Sequence, residues 1–150
     1  MNTSSSLRQQ IADEIVARIR EIEEPRPVLV TKEPFEVDKL AITQFPAALV
    51  TMREETRETV TMGFPGAGRR QGTLRFEIRV FVRGVELDNR RNTILEAMEE
   101  AIETDRYLGL KSNGVTDSQI ITIGIIDRQP PLAEMLIELE VRYNYLRGNT

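Results

Sequence analysis

The chain has 150 residues and a mass of 17.1 kDa, the size of one domain able to bury a core without disulfides or metal. It contains no cysteine and no histidine, which excludes disulfides, thiolate zinc sites, iron–sulfur clusters, Cys nucleophiles and the commonest general base near neutral pH. A net charge of -4 and a pI near 5.1 argue against bulk attraction to nucleic acid or an anionic membrane.

The remaining balance, 40% hydrophobic and 29% charged with a mean hydropathy of -0.32, is that of an ordinary globular chain. Its longest apolar runs, such as Pro46–Val50, fall far short of the ~20 residues that span a bilayer. Met1–Ser6 has no basic start followed by an apolar stretch, so a cytosolic product without a membrane partner is expected. Basic residues are lopsided, at 17 arginines to 3 lysines. Arginine suits ion pairs at subunit interfaces, although lineage bias would give the same excess.

The spacing of Leu7, Ile11, Ile15, Ile19 and Ile22 predicts an amphipathic helix over about 7–23. Ser6 with Gln9 forms a capping-box signature at its start, and Pro25 and Pro27 end it. Val28-Leu29-Val30 reads as a short edge strand, and residues 31–45 fit neither period and read as loop. A strand begins at Ala47, after Pro46. The charged run Arg53–Glu58 then leads into an alternating Thr59–Met62. Gly63, Gly66, Gly68 and Gly72 mark a loop, and the cleanest strand follows it, with Leu74, Phe76, Ile78, Val80 and Val82 on one face. Together these strands read as a long, protruding β-hairpin with a flexible tip.

Asp88 or Asn89 is expected to cap a second helix with Ile94, Leu95, Met98, Ala101 and Ile102 as its apolar stripe. Two strands close the chain, one isoleucine-rich over about Ser118–Ile126 and one with Met135, Ile137, Leu139, Val141, Tyr143 and Tyr145 on one face. With no repeat and no boundary, residues 1–150 form one α+β domain. Its expected layout is two helices packed on one face of a mostly antiparallel sheet.

Three groups of residues invite a function. Gly63–Arg70 superficially resembles a phosphate loop, yet it lacks the lysine and Ser/Thr of a P-loop and precedes a strand. It reads better as an arm, with Phe64, Gly66, Gly68, Arg69 and Arg70 gripping an acidic neighbour, or more plainly as a solvated hairpin tip. Glu96, Glu99, Glu100 and Glu103 line one side of the second helix, which is more often a solvated face than a metal cage. Arg75, Arg79 and Arg83 share a sheet face with Glu138, Glu140 and Arg142 if their strands are neighbours, and can pair across the ladder. Phe81 is the odd residue among those charges and hints at a contact surface.

No acid–base pair is recognisable, so neither an enzyme nor a cofactor is expected. The order of elements, with Phe45–Val50, Gly72–Val82, Asp88–Arg91 and Met135–Tyr143 as its quoted stretches, resembles the tail terminator (tail completion, tail-to-head joining) proteins of tailed bacteriophages. That resemblance covers nearly the whole chain and lies in layout and strand texture. It implies a virion protein at the tail–neck junction, a homohexameric ring that caps the tail tube, stops its polymerisation and meets the head connector. The implied partners are copies of itself, the tail tube protein and the connector or neck proteins. DNA would pass through the ring without specific binding. A different neck or minor tail subunit, or a small bacterial adaptor or ligand-binding domain, are the alternative readings.

Overall fold

Ser6 begins the first helix by accepting a hydrogen bond from the Gln9 amide at 3.2 Å, which satisfies an amide that would otherwise lack a partner. Helix α1 covers Leu7–Arg20 and buries Ile11, Ile15, Val16 and Ile19. Its regular ladder stops two residues before the stripe does, and Ile22 is buried from the turn beyond. The computed structural model describes residues 6–59 and 69–146.

Strand β1 is Leu29–Thr31, the short edge strand expected there. The segment between it and the next strand holds two 3₁₀ turns, Val37–Lys39 and Ile42–Gln44. Strand β2 spans Ala47–Thr59, so the charged run read as a connection is itself strand. A bulge between Met52 and Glu54 explains the lost alternation, because one extra residue moves Glu55 and Arg57 into the rows of Leu74 and Gly72. Strand β3 spans Arg69–Arg83, which places Gly72 inside a strand rather than in the loop. The β2–β3 ladder runs from Ala47–Phe81 to Thr59–Arg70, and the expected tip lies outside the described residues.

Helix α2 covers Leu87–Glu103. Neither Asp88 nor Asn89 caps it. Glu86 holds that position in the left-handed region (φ 54°) without a side-chain cap, and Asp88 sits in the first turn, where a carboxylate favours the positive end of the helix. Strand β4 is Val115–Ile126 and strand β5 is Leu132–Leu146. Strand order is β1-β2-β3-β5-β4, antiparallel except for the β1–β2 pair.

Both helices pack on the same side of this sheet, α1 over β1 and β2, α2 over β3, β5 and β4. The core between the layers joins Ile11, Ile15 and Ile19 to Leu74, Phe76, Ile78, Ile94, Met98, Ile102, Ile137 and Leu139. The α+β reading therefore holds, with two helices and a five-stranded, mostly antiparallel sheet. A second, small cluster of Val37, Ala47 and Phe81 is closed by Leu29, Phe35, Leu40, Phe45 and Leu132. It lies on the opposite side, and it is where residues 31–46 are anchored. No helix among the described residues is long and apolar enough to cross a membrane.

Candidate functional site

Rows of directly opposed residues share a sheet face, so the register defines what the helix-free side presents. One row carries Glu54, Arg75, Glu140 and Gln119, and the next carries Thr51, Glu77, Glu138 and Thr122. The third carries Leu49, Arg79, Leu136 and Gly124. Arg75 reaches Glu140 at 3.7 Å across the ladder, and Arg142 reaches the same carboxylate at 3.1 Å along its own strand. Arg79 joins Glu77 at 3.1 Å, and Arg53 approaches Glu77 at 3.5 Å. These cations offset the direct opposition of Glu77 and Glu138, which alone would be repulsive. The expected cross-ladder pairing is thus present for Arg75 and Glu140. Among the described residues, Arg83 and Glu138 form no ion pair.

Phe81 marks no exposed contact surface. It is 4% exposed and meets the Phe35 ring edge-on, with centroids 5.5 Å apart. The expectation fails because residues 31–46, which carry no readable period, fold back over that corner of the sheet. Beside it lies a carboxylate that pattern alone did not single out. Glu134 is 0% exposed, held by Arg128 at 2.7 Å and approached by Arg79 at 3.5 Å. Burying a carboxylate is costly unless cations accompany it, and two do.

The other unforeseen cluster is on the helix side, where the β2 bulge delivers Glu55. Its carboxylate accepts hydrogen bonds from the Tyr143 hydroxyl, from Arg8 of α1 and from Arg57. Arg57 also lies over the Tyr145 ring, 4.8 Å from its centroid. Tyr143 reaches Glu55 by crossing strand β3 at Gly72, and a Cβ there would sit inside the tyrosine ring. Partial burial works to raise the Glu55 carboxyl, but the bonds from Tyr143, Arg8 and Arg57 outweigh it and hold the group below its usual value of 4.5. Burial and the bond to Glu55 push the Tyr143 hydroxyl up to about 12. Both groups are moved away from the range in which a general acid or base exchanges protons at neutral pH. This is an anchor between α1 and the far end of the sheet.

The hairpin residues divide. Phe64, Gly66 and Gly68 lie outside the described residues, and Arg69 is described only by its place in the ladder opposite Leu146. Arg70 stands in the row of Thr59 and Tyr145, half-buried, with a buried Nε that has no partner among the described residues. Its row belongs to the face opposite to that of Arg75. On α2, Glu96, Glu100 and Glu103 are exposed and Glu99 is half-buried. None of the four forms an ion pair among the described residues. Within one subunit this acidic helix and Arg75 and Arg79 lie on opposite sides of the sheet, so any contact between them joins two copies. Neither the models of known protein families nor the curated proteins yield a match to this chain.

Proposed function

We propose that the chain is a structural subunit of the virion of a tailed bacteriophage, assembling into a six-membered ring at the tail–neck junction. The ring caps the tail tube, stops its polymerisation and meets the head connector, with no catalytic step and no cofactor. One observation carries this reading beyond the layout of the chain. The helix-free sheet face is polar and close to balanced, with Arg75, Arg79 and Arg142 tied to Glu77, Glu134 and Glu140 within the subunit. A duplex is gripped when free cations neutralise its phosphates. Arginines already paired to carboxylates present little free positive charge, which suits a wall past which DNA must slide.

The test is assembly and its effect on a growing tube. The purified chain should give a closed species near six times 17.1 kDa by native mass spectrometry, and a ring by electron microscopy. Added to polymerising tail tube protein from the same phage, it should stop elongation at substoichiometric amounts. A chain that stays monomeric or dimeric at high concentration and leaves tube growth unchanged would overturn the proposal.

A further inference from the structure

The sheet has two unlike edges that lie in the same rows. Reading across the register, Leu29 leads through Ala47, Phe81 and Glu134 to Ile126. Val30 leads likewise through Ala48, Val80 and Met135 to Ile125. Strand β1 and the end of β4 therefore sit at one level along the strand direction, on opposite flanks of the molecule.

The β4 flank is unusually apolar for an edge. Nine consecutive residues, Ser118–Ile126, carry no charge, and natural edges are normally blunted with charge or proline. Ile123 and Ile125 stand opposite the buried Ile137 and Met135, yet they are 41% and 61% exposed because no helix extends over them. Gly124 has nothing within 4 Å of where a Cβ would be, so nothing inside the subunit requires a glycine there. A strand glycine of that kind suits the close approach of another chain. The β1 flank supplies the counterpart. A groove of about 540 Å³ runs along it, lined by Arg20, Arg26, Pro27, Val28, Leu29 and Val30, with Val28 57% exposed. Arg20 already donates to the Val30 carbonyl, so a partner meets this groove with side chains rather than by extending the ladder. The charges agree as well. Asp127 follows the isoleucine edge and Arg26 precedes Val28, and among the described residues neither has an ion-pair partner.

We infer that the β4 edge of one copy, with Ile123 and Ile125, seats in the β1 groove of the next copy, with Asp127 brought to Arg26. The contact is head-to-tail. Because the two surfaces share a level, its repetition has no rise along the strand direction, and a turn between copies about that direction closes it into a ring instead of a climbing helix. The proposal rests on the reading of the chain as a ring subunit, for which it names the surfaces that meet.

The absence of cysteine makes thiol cross-linking clean. Val28→Cys and Ile125→Cys change exposed side chains and should leave the fold intact, which circular dichroism can verify. A short bismaleimide should join the two single variants when they are mixed and neither variant when alone. The double variant should give a ladder ending in a closed ring. Arg26→Asp should weaken association about fivefold, and Asp127→Arg in the same chain should restore it. Two other results would overturn the inference while leaving the ring itself standing. They are Ile125→Cys cross-linking to itself across a two-fold axis, and rings of full mass without a V28C–I125C link. A chain monomeric at every concentration would remove both the inference and the ring.

Discussion

Gly72 is the residue at which backbone freedom, packing and charge meet. It sits in mid-strand, where a glycine ordinarily weakens a sheet, and it is there because the Tyr143 ring lies across it to reach Glu55. Gly72→Ala should force the ring aside and cost about 1–3 kcal/mol, read as a fall in urea midpoint with an unchanged slope. Glu55→Gln removes a charged acceptor shared by Tyr143, Arg8 and Arg57, and should cost about 1.5–3 kcal/mol at neutral pH. The two titrations set opposite limits. A carboxyl held below 4.5 stabilises the fold above that pH, and the contribution is lost as the pH falls through the folded-state value. A hydroxyl raised from 10.0 to about 12 stabilises fully below pH 10, and the contribution fades as the pH rises toward 12. Unfolding curves of Glu55→Gln and Tyr143→Phe against pH should each lose one of these limbs; a wild-type pH dependence in both would show the cluster to be inert.

At the level of elements, the two longest strands were legible and the reasons are physical. Leu74–Val82 and Met135–Tyr145 alternate strictly because one face of each meets the helices and the other does not. Strand β2 hid its second half, since the bulge after Met52 breaks the period at the point where charges begin. The cap of α2 is not legible in the pattern, because Glu86 adopts a left-handed backbone that its side chain does not advertise. The short β1 was legible as an edge, but the isoleucine-rich β4 at the other edge was not, because strand order is a property of pairing and not of any one segment. The same holds for the burial of Phe81 by a loop without a period. The ion pairs on Glu134 permit a graded test. Arg128→Ala breaks the 2.7 Å contact with a fully buried carboxylate and should cost about 1.5–3 kcal/mol. Arg79→Ala breaks a 3.5 Å approach and a partly exposed pair with Glu77, and should cost less than half as much. Equal thermal shifts for the two variants would contradict this ranking.

For the whole molecule, most of the described charges on the sheet are paired within the subunit, whereas Glu96, Glu99, Glu100 and Glu103 of α2, like Arg26 and Asp127 at the two edges, have no ion-pair partner among the described residues and are free to act between copies. Reversing Glu99 and Glu100 to arginine should therefore leave the melting temperature within a few degrees while altering assembly. Its effect should shrink as sodium chloride is raised from tens of millimolar to several hundred, followed by sedimentation velocity. An effect independent of salt would assign these glutamates to packing rather than to charge. The chain also has no tryptophan, so its intrinsic ultraviolet emission comes from Tyr107, Tyr143 and Tyr145. A phenol bonded to a carboxylate emits weakly, because the excited hydroxyl passes its proton toward the acceptor. Tyr143 on Glu55 is therefore a dark fluorophore in the native subunit. It brightens when helix α1 and the far end of the sheet come apart, so a probe-free optical signal for the loss of that one joint is written into the chain.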